Sequence, residues 1–299
     1  MDDRDSLTER FEENRQHLRG VAYRMLGSLS EADDAVQEAW LRLNRTDSAG
    51  VDNLTGWLTT VIARVCLDML RSRRLRREDP IDADVSERTP ASGEGADPES
   101  EALLADATGV ALLVVLEALS PAERLAFVLH DLFAMTFEEI GSILGRSPAA
   151  AKQLASRARR RVHGSPAPSD GDRARQQQLV DAFSKATRAG DLQALLEVLA
   201  PDAVLHIDAV ARAGDPNATE VGKPRELSGA SMWARQFIAF SRGLRFVQPA
   251  VIDGSVGLLF APNGKLSRVL SFTFANDKVT RIDVIADPTH LQRLDIAVL

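Results

Sequence analysis

Cysteine is nearly absent from this sequence. Its 299 residues hold one, Cys66, so no internal disulfide framework can form, and the apolar residues around that thiol point to core packing rather than chemistry. No run of about twenty uninterrupted apolar residues occurs either. The best candidate, "GVALLVVLEAL", is short and carries Glu117. The first residues, "MDDRDSLTER", lack the basic start and apolar stretch of a secretory signal. The expectation is a cytoplasmic protein with no membrane partner. There is no Cys/His spacing of a metal site, no phosphate loop and no nucleophile motif, so no metal, cofactor or catalytic residue is expected.

What is present is length and unevenly divided charge. A chain of this size predicts two or three units, and a hydrophobic content of 44% is ample for their cores. The net charge of −7 hides its distribution. From Asp79 to Asp106 the acids Asp79, Asp82, Asp84, Glu87, Glu94, Asp97, Glu99, Glu101 and Asp106 face one base, Arg88. Basic clusters, Arg71 to Arg77 and Lys152 to Arg161, lie on either side. A local basic surface, whatever the overall charge, is the footprint of a nucleic-acid partner.

Composition also places the breaks. "REDPIDADVSERTPASGEGADPES" mixes Pro, Gly, Ser and acids without apolar period and reads as an exposed linker, and "HGSPAPSDGDR" marks a second. The predicted organisation is a helical unit over 1–77, an acidic linker over 78–100, a second helical unit over 101–163, a short linker over 164–172 and a third unit over 173–299.

In the first unit, "SLSEADDAVQEAWLRL" has Ser30 as the expected N-cap and Ala32, Ala35, Val36, Ala39, Trp40 and Leu43 at helical spacing. Asp33, Asp34, Gln37, Glu38 and Leu41 fall elsewhere on the helix, where a solvated face is the plain reading. In "GWLTTVIARVCLDMLRSRRLRR", Leu58, Val61, Ile62, Val65 and Met69 cluster on one side, with Thr60, Ala63, Arg64, Leu67, Arg71 and Arg74 roughly opposite. Five arginines, Arg71, Arg73, Arg74, Arg76 and Arg77, exceed what a helix dipole needs and favour phosphate contact.

In the second unit, "SPAE" (Ser120 to Glu123) and "TFEE" (Thr136 to Glu139) have capping-box form. Gly145 then breaks the pattern before "RSPAAAKQLASRARRRV", with Ser147 as N-cap and Pro148 in the first turn. A short helix, a glycine turn and a longer helix form a helix-turn-helix signature. On the last helix Ala151, Leu154, Ala155, Ala158 and Val162 make the buried stripe. Ala149, Gln153, Ser156 and Arg160 lie opposite, flanked by Lys152 and Arg157. Small residues permit close approach to base edges, Gln and Lys hydrogen-bond them, and arginines neutralise phosphate.

Taken together, "FEENRQHLRGVAYRMLGSLSEADDAVQEAWLRL", "GWLTTVIARVCLDMLRSRRLRRE" and "LSPAERLAFVLHDLFAMTFEEIGSILGRSPAAAKQLASRARRRV" resemble regions 2 and 4 of bacterial extracytoplasmic-function sigma factors, and the order of the parts resembles the sigma-J-like branch. The resemblance implies that the helix carrying Asp33, Asp34, Gln37, Glu38 and Leu41 docks on core RNA polymerase. It implies that the helix from Trp57 to Arg74, with the loop around Asn44 to Asn53, opens the minus-ten element of promoter DNA, with Asn53, Thr60, Arg64, Arg71 and Arg74 as its contacts. The helix from Ser147 would read the minus-thirty-five element through Ser147, Ala149, Lys152, Gln153, Ser156, Arg157 and Arg160. Such a protein catalyses nothing itself.

The third unit changes character. Two helices, a strand through "AVLHID", a helix around "ASMWARQFIAF" and strands at "RFVQPAVI", "SVGLLFA", "RVLSFTFA" and "KVTRIDVIA" predict an α+β domain with a curved antiparallel sheet. This resembles the SnoaL-like, nuclear-transport-factor-2-like cone. His206 and Asp208 alternate with apolar neighbours, Asp283 lies on a late strand, and Trp233, Phe237, Phe272 and Phe274 are candidates for an apolar pocket, with core packing the plainer reading. The resemblance implies a regulator attached in cis, and it admits a small-molecule ligand or an anti-sigma protein as a further partner. In the family the linker commonly has a Trp-Leu-Pro-Glu-Pro motif and the tail an Asn-Pro-Asp-Lys type of motif; this sequence shows "EDPIDADV" and "ADPTH" instead. Two rivals stay open. A ligand-sensing helix-turn-helix regulator has no need of the first seventy-seven residues, and a cyclase or isomerase fused to a DNA-binding module would put its chemistry at Asp208.

Overall fold

The computed structural model describes residues 2–45, 53–78, 109–164, 170–213, 223–241 and 247–299. The expected acidic linker from Asp79 onward and most of the loop from Asn44 to Asn53 lie outside these residues. The chain divides into two compact units. One comprises Met1–Thr108 and Leu116–Arg159; the other comprises Gly109–Val115 and Arg160–Leu299. The two helical regions therefore share one unit, and both ends of the second helical region are grouped with the C-terminal unit.

The first unit is all helix. Its opening three are α1 (Asp2–Leu26), α2 (Leu29–Arg45) and α3 (Leu54–Glu78), which pack on one another. α2 begins one residue before the expected cap: Ser28, not Ser30, offers its hydroxyl to the Glu31 N–H, at 3.5 Å. Leu29 then follows as the first buried residue, because Gly27 at φ 74° turns the chain sharply out of α1 and brings the cap forward. The apolar side of α3 is buried as expected, and so are two residues assigned to its basic side. Ala63 and Leu67 are 0% and 2% exposed. A single helical wheel finds one buried face; α3 has a second.

Further helices of the same unit also pack on α3. α4 (Val110–Glu117) is followed by α5 (Pro121–Phe127), a π-helical turn over Val128–Leu132, α6 (Phe137–Leu144) and α7 (Pro148–His163). α5 and α6 pack on α3, and the π turn packs on α1. Both capping boxes form: Ser120 with Glu123 at α5, and Thr136 with Glu139 at α6. The Glu139 carboxyl sits below its ordinary range because the Thr136 hydroxyl and backbone N–H donate to it. Gly145 closes α6 in the left-handed conformation at φ 65°, ψ 37°, and the Ser147 hydroxyl accepts the Ala150 N–H at 3.2 Å.

In the second unit, α8 (Asp170–Ala189), α9 (Leu192–Val198) and α11 (Ala230–Ser241) accompany a seven-stranded sheet. Its strands are β1 (Leu199–Ile207), β2 (Arg225–Ser228), β3 (Val247–Ile252), β4 (Ser255–Phe260), β5 (Arg268–Ala275), β6 (Lys278–Ile285) and β7 (Ile296–Ala297), with short helices α10 (Ala209–Ala213) and α12 (Pro288–Leu291) between. The order is β2-β1-β6-β5-β4-β3-β7. The α+β class is as expected, but the sheet is mixed: β1 runs parallel to β6. Joining the first long strand to the last made this invisible to a reading of neighbouring segments. Period-two alternation sends Leu205, Phe272 and Ile282 to one face, where they join Phe183, Trp233 and Phe237 in the core. The Trp233 indole N–H donates to the Ala203 carbonyl at 3.0 Å.

At Gly145 an added Cβ would meet nothing within 4 Å, so substitution there tests backbone conformation alone. Gly145→Ala is expected to destabilise the first unit by about 1 kcal/mol, and Gly145→Asn by less, since Asn tolerates the left-handed region. Thermal unfolding of the three proteins measures the order.

Candidate nucleic-acid interface

α7 is built to show one face. Ala151, Leu154, Ala155, Ala158 and Val162 are buried, and Ala149, Gln153, Ser156 and Arg160 are exposed on the other side, with Lys152 and Arg157 beside them. All seven expected positions lie at or after the Ser147 cap on this one surface. From the first turn outward the surface passes from small side chains, through amide and ammonium donors, to guanidinium groups. That order suits a helix entering a groove by its N-terminus and meeting phosphate further along. Arg159 is spent elsewhere: it pairs with Asp131 of the π turn at 2.5 Å and fixes α7 against the preceding turn.

On α3, Arg64, Arg71 and Arg74 are exposed and Thr60 is half-buried. The Thr60 hydroxyl donates to the Gly56 carbonyl at 3.0 Å. Asn53 accepts the Gly56 N–H at 2.9 Å, so its side chain caps α3, a role the sequence reading did not give it. Arg73, counted among the basic cluster, pairs with Glu31 of α2 and donates to the Leu26 carbonyl at 3.4 Å. Of the cluster's described side chains, Arg71 and Arg74 thus continue an exposed strip begun by Arg64, and Arg73 serves as a strut between helices.

The acidic side of α2 is more structured than a solvated face. Asp33 accepts both Arg19 contacts, at 2.7 and 3.1 Å. Asp34 and Glu38 line a groove of about 410 Å³ with Glu31, Arg42, Asp68, Met69 and Arg73. Glu38 is tied to Arg42 at 2.9 Å. Gln37 and Leu41 are exposed, Leu41 at 41%, an apolar side chain at the rim of an acidic surface. Glu31 and Asp68 escaped the sequence reading. The spacing Glu31, Asp34, Glu38 is a helical stripe that was there to be found, whereas Asp68 comes from another helix.

His206, Asp208, Asp283, Trp233 and Phe272, the candidates for a C-terminal pocket, do not converge on one site. Trp233 and Phe272 fill the helix-facing core. His206 and Asp283 pair across β1 and β6 on the opposite face of the sheet, 3.3 Å apart, where Arg281 binds Asp283 at 2.9 Å and reaches Glu226. The alternation that placed His206 with Asp208 also separates His206 from the aromatic side chains, because Leu205 takes the inward position. Asp208 closes the end of β1: its carboxylate accepts the N–H groups of Ala211, Ala286 and Asp287 at 2.6, 2.6 and 2.7 Å. Burial pushes its carboxyl up, but those backbone donors, with Val210, outweigh burial and hold it below the ordinary range. Asp287 in turn caps α12 through the His290 N–H. Burial raises the Cys66 thiol to about 12, so it is inert at neutral pH. Among the described residues no cluster of His, Cys, Asp or Glu could hold a metal ion, and no helix is long and apolar enough to cross a membrane.

An acidic helix, a basic helix and a capped helix-turn-helix, in that order, define a promoter-recognition protein of two helical regions, and comparison with known proteins agrees. Sigma-70 region 2 matches residues 10–76 and sigma-70 region 4 matches residues 109–162. SigI of Mycobacterium tuberculosis, named a probable ECF RNA polymerase sigma factor, is 35% identical over 294 residues, covering 98% of each chain. The ECF RNA polymerase sigma factor SigJ of the same organism is 36% identical over 291 residues, covering 93% of this chain and 91% of SigJ. The crystal structure of SigJ covers 94% of this chain and 97% of that one, at 33% identity and a TM-score of 0.45. The chain belongs to the ECF RNA polymerase sigma factors.

Two outcomes follow from this geometry. Arg160→Ala is expected to weaken DNA binding about equally on all sequences and to lower the salt slope by about 0.9, whereas Gln153→Ala should relax preference at one base pair at a cost of about 1–3 kcal/mol; titrations across a salt series separate the two. Asp208→Asn should lower the thermal midpoint of the C-terminal unit at neutral pH. Because the native carboxyl is depressed, that advantage is present above about pH 4 and vanishes as pH falls through the native value, so melting curves of the two proteins should converge in acid.

Proposed function

We propose that this chain brings core RNA polymerase to promoters in the cytoplasm by dividing the task among three surfaces. The face of α2 carrying Asp33, Asp34, Gln37, Glu38 and Leu41 docks on polymerase. The strip of α3 with Thr60, Arg64, Arg71 and Arg74, begun by the Asn53 cap, meets the minus-ten element. The exposed face of α7 enters the major groove of the minus-thirty-five element. The observation that carries this reading is the separation on α7, where Ala151, Leu154, Ala155, Ala158 and Val162 are buried and Lys152, Gln153, Ser156, Arg157 and Arg160 face out behind a capped glycine turn. Charge supports the rest: an acidic surface suits a protein partner with basic side chains, and a strip of guanidinium groups suits phosphate.

The C-terminal unit is in this reading a regulator and not an enzyme. Its aromatic side chains pack on one another, with Phe183 and Phe272 rings 5.1 Å apart, and Asp208 is occupied by backbone donors. It includes Gly109–Val115, where the Val110 N–H donates to Gln248 Oε1 at 2.8 Å.

Run-off transcription from a pool of genomic fragments by bacterial core polymerase, with and without the full chain, tests the reading. New discrete transcripts sharing two upstream elements are expected only when the chain is added. Ending the chain after Gly164 should then change transcript yield, in either direction; unchanged yield from a chain whose helices remain intact by circular dichroism would refute the regulatory role.

A further inference from the structure

α7 crosses the boundary between the two units. Its residues as far as Arg159 belong to the first, and Arg160–His163 belong to the second. Arg160 is exposed and is the outermost cation assigned to the minus-thirty-five surface, so what holds its turn of helix is found in the C-terminal unit.

A helix leaves the carbonyls of its last turn without partners inside the helix. In α7 the Val162 carbonyl is one of these, and it accepts the Val298 N–H at 2.8 Å. Just beyond the helix, Gly164 turns the chain at φ 70°, the left-handed conformation that closes many helices. A Cβ at Gly164 would stand 2.7 Å from the Ala297 Cβ, well inside the separation of about 3.5–4.0 Å at which carbon atoms pack. Gly164 is therefore required twice, for its backbone angle and for the close approach of β7. Val162 and Ala297 are both buried.

The residues that supply this cap are registered by the sheet. β7 pairs with β3 at two positions, Val251 with Ala297 and Ile252 with Ile296. So short a strand has little hold of its own, and the turn after β3 adds to it. The Asp253 N–H donates to the Asp295 carbonyl at 2.8 Å, and the Asp253 carboxylate accepts the Asp295 N–H at 2.8 Å. A path of hydrogen bonds thus runs from the turn between β3 and β4, through β7 and Val298, to the turn of α7 that carries Arg160. An arginine on an ordered turn meets phosphate directly, whereas on a frayed turn binding must first order the backbone.

We propose that Val298, with Gly164 and Ala297, positions Arg160 for its phosphate contact, so that the C-terminal sheet sets the strength of promoter binding by ordering the end of the recognition helix. The proposal rests on the reading of α7 as the minus-thirty-five helix. It gives the regulatory role of the C-terminal unit a physical route: displacing β7 from β3 acts on affinity through Arg160 and leaves the base preference read by Gln153 as it is.

The test uses the full chain. Val298→Pro removes the N–H that the Val162 carbonyl accepts, and Gly164→Ala sets a methyl group against Ala297. The amides of Arg160, Arg161, Val162 and His163 should exchange with solvent about fivefold faster in both variants, the effect of one net hydrogen bond. Binding with core polymerase to a promoter selected by run-off transcription should weaken by up to about fivefold, with base preference unchanged. In an Arg160→Ala background Val298→Pro should cost nothing further, whereas a role confined to the stability of the C-terminal unit predicts the same loss in both backgrounds. Ala297→Gly should restore part of the affinity lost in Gly164→Ala. Unchanged amides, unchanged promoter affinity, or equal losses with and without Arg160 overturn the positioning role and leave the promoter reading intact. A wild-type chain that selects no promoter removes the reading of α7, and the positioning role with it.

Discussion

The buried guanidinium of Arg124 at the end of α1 is the contact on which the helical unit depends. A helix terminus leaves its last carbonyls without intrahelical partners, and α1 ends inside the unit, where water cannot supply them. A cation from region 4 supplies one: Arg124 donates to the Met25 carbonyl at 2.9 Å. That bond fixes α5 over the end of α1 and brings α5 and α6 against α3. What remains outside is narrow. The exposed strip of Arg64, Arg71 and Arg74 exists because the neighbouring flanks are taken, and Arg73, one residue away, is drawn inward to Glu31.

The same economy governs the C-terminal unit. Asp208 has the look of a catalytic carboxylate in sequence, beside a histidine and at the end of a strand. In three dimensions it is the knot that ties β1, α10 and the residues after β6 together. A carboxylate surrounded by backbone N–H groups is strongly stabilised in its charged form and poorly suited to exchanging protons near neutrality. His206 is likewise part of a charged lattice with Asp283, Arg281 and Glu226 on the sheet face away from the aromatic core.

Much of this was legible from the residues alone, for a physical reason. Capping boxes, a glycine in the left-handed region and apolar residues at helical spacing are local, so Ser120, Thr136, Gly145, Ser147 and the buried stripe of α7 could be read directly. The errors are non-local. Ser28 displaced Ser30 because a turn residue moved the start of α2. Ala63 and Leu67 look like part of a basic face but are buried, in a helix that packs on α1, α2, α5 and α6. The short strand β2 is polar and lacks the apolar alternation that marks the others, and the parallel pairing of β1 with β6 joins segments more than seventy residues apart. His206 and Trp233 fell into one expected pocket because sequence shows alternation along a strand but not which face the helices cover.

The bond from the Val298 N–H to the Val162 carbonyl, 2.8 Å long, has a consequence for how the protein is made. The C-terminal unit needs Gly109–Val115, among the earlier residues of region 4, and also β7 and Val298 at the very end. At about 5–20 residues per second on the ribosome, the apolar α4 waits on the order of ten seconds for Gln248, which accepts its Val110 N–H, to be synthesised. Its interval as exposed hydrophobic surface is therefore set by translation speed and not by folding speed. A region 4 finished at His163 still lacks the bond from Val298 to its Val162 carbonyl.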